Sequence, residues 1–169
     1  MTVVGSIESC TSAQASIVFN SEHYPILFVT WFGIPTPAVV TGYTEWLFRM
    51  AERARSEGTR FVVIGDTTSM GGRPGPDVRR LLAQAMDDVT ERTGDRFLGA
   101  LTIIDGGLMR AVVTMTLYLA RKKFAITPVR SLAEALPKAY EILDKAGQAR
   151  PPGLDLETYE RPSHPLGNT

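Results

Sequence analysis

Residues 61–66 read Phe-Val-Val-Ile-Gly-Asp and form the most informative segment of the chain. A run of aromatic and β-branched residues without polar alternation is typical of a strand that is buried on both faces. Residues 97–105 form a second segment of this kind. Apolar residues recur at helical spacing over 39–50 and over 78–89. Buried strands that alternate with amphipathic helices predict an α/β fold with a mostly parallel central sheet and helices packed on it.

The remaining pattern completes the order of elements as β-β-α-β-α-β-α-β-α. Two apolar runs separated by five residues come first and predict a hairpin, or at least two adjoining strands. Ser131 and Glu134 form a capping-box pattern, and Pro137 lies past the first turn of that helix, so we expect a local kink or a later start there. In chain order, the predicted elements are strands at 15–20 and 26–32, a helix opened by Thr36 as N-cap with Pro37 and ended by Gly58, a strand at 60–66, a helix from Val78 to Gly94, a strand at 97–105, a helix at 108–122, a strand at 124–128 and a helix from Ser131 to Gly147.

The two ends of the chain lack a periodic apolar pattern. Residues 1–14 are small and polar, and we predict a flexible leader there. Residues 148–169 are rich in proline and glycine and are predicted to form a tail. A single α/β domain is therefore expected at 15–147. The tail residues expected to dock on that domain are Leu154, Leu156 and Tyr159.

Composition argues against several classes of function. The 18 basic residues equal the 18 acidic ones, so no positive excess indicates a nucleic-acid partner. One cysteine and two histidines are too few for a Cys/His metal site, and we expect no metal and no cofactor. No apolar stretch is long enough to span a bilayer, and the N-terminus lacks the pattern of a secretory signal. The expected location is the cytoplasm.

No group of residues in the sequence predicts a catalytic site. His23 falls in the first turn, His164 in the tail and Cys10 in the leader, so no nucleophile is paired with a base. Asp66 and Asp105 follow two buried strands, where open α/β sheets collect their ligands. If those strands are neighbours, the two carboxylates could share a cation or position a proton. Alternatively each carboxylate caps a turn or a helix, as aspartate commonly does.

The polar segment Asp66-Thr67-Thr68-Ser69 is the first candidate for binding a partner. It is expected to be a turn that places three hydroxyl groups beside a carboxylate. A phosphate on Thr68 would add about two negative charges and could lock or repel a partner surface. The favoured alternative is an ordinary turn, because hydroxyl residues are common in turns. The arginines expected to receive such a phosphate within the chain are Arg73, Arg79 and Arg80.

Gly71, Gly72 and Arg73 are the second candidate, because they precede the second predicted helix. Backbone N–H groups and an arginine at a helix N-terminus suit an anion or a charged partner. The segment lacks the Gly-Lys-Ser/Thr ending of a P-loop, so it does not predict nucleotide hydrolysis. A flexible connector is the alternative interpretation.

The third predicted helix is apolar around nearly its whole circumference. A helix of that kind is buried on more than one side. It can lie between the sheet and the tail, line an apolar pocket or form a subunit interface. The residues chosen for a pocket or an interface are Val112, Met115 and Leu119.

The layout resembles the STAS fold of bacterial anti-sigma-factor antagonists and of the related SEC14-like lipid-binding proteins. The resemblance is carried by residues 24–29 (Tyr-Pro-Ile-Leu-Phe-Val), 61–66 and 131–136 (Ser-Leu-Ala-Glu-Ala-Leu). In antagonists of this family an Asp-Ser-Ser-Gly-like turn carries a phosphorylated serine at a helix N-terminus, which makes Thr68 the matching acceptor. Ser69 stands where the family has glycine, and Gly71 to Pro76 intervene before the helical pattern begins at Val78.

The resemblance implies a non-enzymatic regulatory module of STAS type that binds another protein, with phosphorylation as a switch. A binder of a small apolar or lipid-like ligand is one alternative, with the third helix and the tail as pocket walls. A self-associating scaffold is the other, and it implies a homo-oligomer. The partner is therefore another protein or a second copy of the chain.

Overall fold

One mixed sheet of six strands organises the computed structural model, which describes residues 5–106 and 125–166. The strands lie side by side in chain order. The described elements are β1 (Ile7–Thr11), β2 (Ala15–Asn20), β3 (Ile26–Gly33), α1 (Pro37–Glu57), β4 (Phe61–Ser69), α2 (Pro76–Thr93), a short 3-10 helix (Gly94–Arg96), β5 (Phe97–Ile103), β6 (Ile126–Val129) and α3 (Leu132–Lys145).

The direction of the strands changes once across the sheet. β1, β2 and β3 pair antiparallel, so the predicted hairpin is confirmed. β3, β4, β5 and β6 pair parallel, which confirms the mostly parallel α/β sheet. Ile64 of β4 lies between Phe28 of β3 and Leu101 of β5, so β4 is central in the parallel part.

Both faces of the sheet are covered, as the apolar run at 61–64 predicts. Successive strand residues point to opposite faces. Leu27 and Val29 pack into the cluster under α1, where Trp46 stacks on Phe19 with 4.8 Å between ring centroids. Phe28 belongs to the cluster on the opposite face, together with residues of α3 and with Leu154. The α/β layering therefore places one helical layer on each face.

For the helices in the described ranges, the predicted boundaries hold with small changes. Pro37 and Gly58 frame α1, and Gly58 adopts a left-handed conformation with φ of 65°. Thr36 occupies the N-cap position, but its hydroxyl donates to Ser12 Oγ at 3.0 Å and makes no capping bond. α2 begins at Pro76, two residues before the predicted start.

The start of α3 confirms the capping prediction. Ser131 Oγ accepts a hydrogen bond from the backbone N–H of Glu134, at 3.3 Å. The Glu134 carboxylate reaches one residue further back and accepts from the Arg130 N–H at 2.9 Å. α3 runs from Leu132 through Pro137, so a later start at the proline is wrong. Capping of the first turn fixes the start of the helix ahead of the proline.

The flexible leader predicted at 1–14 is wrong for residues 7–11, which form β1 at the edge of the sheet. The Cys10 side chain packs on α1, where its Sγ lies 3.9 Å from the carbonyl oxygen of Ala38. Arg49 of α1 donates to Glu8 at 2.6 Å. A strand held by backbone pairing needs no apolar alternation, and for that reason the polar sequence did not predict it.

The predicted helix at 108–122 lies outside the described residues, and so do Val112, Met115 and Leu119. The last strand, predicted at 124–128, is described as Ile126–Val129. None of the helices in the described ranges has the length and apolar content that crossing a membrane requires.

Candidate functional site

The candidate site lies where the parallel strands β3, β4 and β5 end. Thr30, Asp66 and Ile103 occupy matching positions in these three strands. Because parallel strands bring their carboxyl ends to one edge, side chains from all three converge there. The C-terminal segment, residues 148–166, crosses the same edge and brings Tyr159 and Arg161 to it.

The segment 66–69 is a continuation of β4, so the predicted turn is wrong. Phe32 of β3 pairs with Ser69 after a register shift. Thr67 turns toward β5 and donates to the Ile103 carbonyl oxygen at 2.7 Å. Threonine fits an extended backbone well, and pairing with β3 satisfies the backbone groups that a turn would leave open.

Asp66 and Thr68 form a local hydrogen-bonded unit at the end of β4. The Thr68 hydroxyl donates to Asp66 Oδ1 at 2.6 Å, and the Thr68 backbone N–H donates to the same oxygen at 2.9 Å. Thr68 is exposed, whereas the Asp66 side chain is only 15% exposed. One oxygen of the carboxylate is thus committed to Thr68.

Arg161 occupies the other oxygen of Asp66 and joins the whole polar cluster. Its Nε donates to Asp66 Oδ2 at 2.6 Å. Its Nη2 donates to the hydroxyls of Thr68 at 3.2 Å and Ser69 at 2.8 Å. The guanidinium also lies 5.5 Å above the ring centroid of Phe32. One arginine of the C-terminal segment therefore holds three residues at the end of β4.

The environment of Asp66 favours its charged form. Partial burial raises the pKa of the carboxyl group, but the hydrogen bonds from Arg161 and Thr68 lower it by more. The net result is a pKa below the ordinary value of 3.8. The Asp66–Arg161 pair is therefore ionised at neutral pH.

Tyr159 provides a second attachment of the C-terminal segment. Its ring stacks on Phe28 with 4.3 Å between centroids and an interplanar angle of 25°. Its hydroxyl lies near the side chain of Thr30, which is buried. Burial and the nearby Asp66 charge raise the pKa of Tyr159 to about 12.

The remaining contacts explain how the segment reaches this edge. Leu154 is 7% exposed and packs with α3, and the Tyr140 hydroxyl donates to the Leu154 carbonyl oxygen at 2.5 Å. Leu156, by contrast, is 48% exposed. His164 lies edge-on against Phe32 at 5.1 Å. Of the three predicted docking residues, Leu154 and Tyr159 pack on the domain and Leu156 does not.

A cavity of about 330 Å³ lies beneath Tyr159 and Arg161. Its floor is apolar and comes from the ends of the parallel strands, and its side is the start of α3. Sequence reasoning missed this cavity because two of its lining residues, Tyr159 and Arg161, belong to a segment without any periodic pattern. Residues lining it include Phe28, Ile64, Ile103, Asp66, Arg130 and Leu132.

The predicted anion loop packs against the end of β3. The Gly71 N–H donates to the Gly33 carbonyl oxygen at 3.1 Å. A side chain at Gly72 would meet the Ile34 side chain at 3.3 Å, so the glycine allows this close approach. Arg73 follows this pair in the connection to α2. Among the described residues, the arginine bonded to Thr68 is Arg161.

The other candidates are separate from this cluster. Asp105 is exposed, two residues beyond the Ile103 that pairs with Asp66. His23 lies against the rings of Phe28 and Tyr159, whereas Cys10 packs on α1. Over residues 5–106 and 125–166, no group of three His, Cys, Asp or Glu side chains could hold a metal ion.

Comparison with known proteins finds a solved structure that is similar to this chain. No family model matches the chain, and no curated protein matches it. The crystal structure of an anti-sigma factor antagonist from Mycobacterium paratuberculosis is similar over 80% of this chain and 95% of its own, with 14% identity and a TM-score of 0.44. A likeness of overall fold at this identity assigns no function.

Proposed function

We propose that this protein is a non-enzymatic regulatory module of STAS type, which binds another protein through the end of β4. The surface proposed for the partner is formed by Asp66, Thr68 and Ser69. The observation that supports it most is the contact of Arg161 with all three residues. Arg161 therefore covers the proposed surface, and a partner that binds there would have to displace it.

The strength of this cover suits a reversible switch. The Arg161 and Asp66 side chains are 39% and 15% exposed, so water screens their attraction in part. Ion pairs of this kind contribute about 1 kcal/mol or less. A partner that offers its own cation to Asp66 can therefore displace Arg161 at little cost.

Phosphorylation of Thr68 is the proposed control of this surface. The modification would remove the hydroxyl proton that Thr68 shares with Asp66 and would add about two negative charges beside that carboxylate. Arginine binds phosphate through paired hydrogen bonds more strongly than it binds a neutral hydroxyl. We expect Arg161 to bind the phosphate group, and the C-terminal segment to be attached more tightly as a result.

The test is quantitative affinity capture with the full chain, comparing wild type with Arg161→Glu and Thr68→Glu. Removing Arg161 contacts that contribute about 1 kcal/mol raises the apparent affinity for a partner about five-fold. Arg161→Glu should therefore retain about five times more of a specific partner. Thr68→Glu should retain less than wild type. Arg80→Glu is the matched control, because Arg80 is exposed and lies on α2 beside Asp77.

Hydrogen exchange gives a second readout that needs no partner. Residues 155–166 should exchange faster in Arg161→Glu than in wild type, while α1 stays protected. Equal capture by all four proteins, with release of the segment confirmed by exchange, would refute the proposed surface.

A further inference from the structure

The cavity beneath the C-terminal segment has the chemistry of a small-molecule site. This inference shares Asp66 and Arg161 with the protein-binding proposal but does not rest on it. We infer that the cavity binds a compact amphipathic carboxylate, with the apolar body of the ligand on the strand ends and its carboxylate at the arginines. The volume of about 330 Å³ is at the lower end of the range for ligand pockets, about 300–1,000 Å³. A compact ligand therefore fits better than a long acyl chain.

The floor of the cavity accounts for the apolar part of the ligand. Phe28, Ile64 and Ile103 come from three neighbouring strands and are apolar residues of the lining. Leu132, at the first position of α3, and the Tyr159 ring, which stacks on Phe28, add further apolar lining. Such a surface offers no hydrogen bonds to water, so replacing the water with an apolar group of the ligand is favourable.

The charges around the cavity account for the anionic part. Among the described lining residues, Arg130 and Arg161 are positive and Asp66 is the single carboxylate. Arg161 is paired with Asp66, which leaves the charge of Arg130 as the excess. No hydrogen bond to the Arg130 guanidinium occurs within the described part of the chain. The lining therefore favours a ligand with one negative charge.

The residues next to Arg130 strengthen this preference. Glu134 is the nearby acid, and its carboxylate is engaged by Lys138 Nζ at 2.7 Å and by the Arg130 backbone N–H at 2.9 Å. Ser131 and Leu132 bring the start of α3, a helix of 14 residues, to the cavity wall. The partial positive charge of a helix start adds to that of the arginine.

The Asp66–Arg161 pair indicates why the anion is a carboxylate. The Arg161 guanidinium already binds one carboxylate through its Nε at 2.6 Å, at the rim of the cavity. The carboxylate of a ligand can accept hydrogen bonds from the guanidinium groups of Arg130 and Arg161 in the same manner. Arg161 then contributes both to ligand binding and to attachment of the C-terminal segment.

Isothermal titration calorimetry of the full chain tests this inference with phenylacetate as the probe. We expect a dissociation constant of about 1 mM or tighter, which lies within the efficiency of small ligands. The neutral phenylacetamide should bind at least about ten-fold more weakly, because it lacks the charge-assisted hydrogen bonds. Inorganic phosphate or oleate binding as tightly as phenylacetate would overturn a compact amphipathic ligand.

Two variants locate the binding in this cavity. Arg130→Gln should weaken phenylacetate about ten-fold, while Arg80→Gln on the exposed face of α2 should leave it unchanged. Leu132→Trp should abolish binding by filling the cavity, and Leu132→Phe serves if the larger variant does not fold, as judged by circular dichroism. A folded wild type that does not bind phenylacetate, or binding that survives both changes, overturns the inference.

Discussion

The first strand and the C-terminal segment attach to the same sheet in different ways. β1 pairs with β2 along its whole length through the backbone. Residues 148–166 contain no strand and no described helix, and they are held by a few individual side chains. The difference teaches that a backbone ladder tolerates most side chains, whereas a side-chain attachment depends on a few residues. The attaching residues are Leu154, Tyr159 and Arg161.

The largest effect is expected at Leu154, the buried anchor of the C-terminal segment. Leu154→Ala should lower the free energy of unfolding by about 2–3 kcal/mol, because it removes apolar contacts with α3 and leaves a cavity. Leu156→Ala is the matched control, since Leu156 is 48% exposed, and it should change stability by less than about 0.5 kcal/mol. Urea denaturation of both variants measures the difference. Equal losses would contradict side-chain anchoring.

A proline placed in β1 should have the next largest effect, and its result should depend on position. The Ser21 N–H donates to the Ser6 carbonyl oxygen, and the Ser12 N–H donates to the Ala15 carbonyl oxygen. Because hydrogen-bonded positions alternate along an antiparallel strand, the Cys10 N–H points to β2. Cys10→Pro should cost about 2 kcal/mol through the lost ladder bond.

Two controls separate the backbone of β1 from its side chains. Ser9→Pro should cost less than about 0.5 kcal/mol, because that N–H faces away from β2 at the edge of the sheet. Cys10→Ala should be similarly mild, since it keeps the ladder bond. If Cys10→Ala matched Cys10→Pro in thermal denaturation, the thiol contact with α1 would hold β1 instead of the ladder.

Alkaline pH should weaken the attachment through Tyr159. The folded pKa of about 12 is above the ordinary value of 10.0, so the stabilisation is complete below pH 10 and is lost as pH rises toward 12. Between those values, wild type should lose about 1–2 kcal/mol more than Tyr159→Phe, which has no hydroxyl proton to lose. Urea titrations at pH 9 and about pH 11 give the comparison. Parallel loss in both proteins would place the tyrosinate in water in the folded state.

The smallest effect is expected at the exposed ion pair. Arg161→Gln should cost about 0.5–1 kcal/mol at pH 7. Because the folded pKa of Asp66 lies below 3.8, the contribution is complete above that value and disappears as pH falls through the folded pKa. Wild type and Arg161→Gln should therefore converge in acid. A double-mutant cycle with Asp66→Asn isolates the pair, and a coupling near zero at pH 7 would contradict the geometry.

The predictability of the elements follows from where their stability originates. The buried strands at 61–64 and 97–103 and the helix frames at Pro37, Gly58 and Ser131 were predicted because local residue types specify them. β1 was missed, although one signal was present. Gly42 lies within α1, and a side chain there would meet Cys10 Sγ at 2.7 Å, which marks a close approach of another segment.

The candidate site was predictable in position and not in composition. Asp66 follows a buried strand, and strand ends are where α/β sheets gather polar groups. Arg161 is 95 residues away from Asp66 along the chain, and nothing in its own neighbourhood distinguishes it from an exposed arginine. For the same reason, the sequence predicts that arginines near Asp66 in the chain, and not Arg161, contact this site.

The amino-acid sequence by itself determined the alternation of strands and helices, the burial of β4 on both faces and the polar end at Asp66. These features depend on residues that are close in sequence, through periodicity, capping and burial. Only the tertiary structure decided which arginine reaches Asp66, that residues 66–69 continue the strand and that a cavity lies under Tyr159. Such contacts join residues far apart in the chain, and their free energy exists only after the sheet has brought the strand ends together.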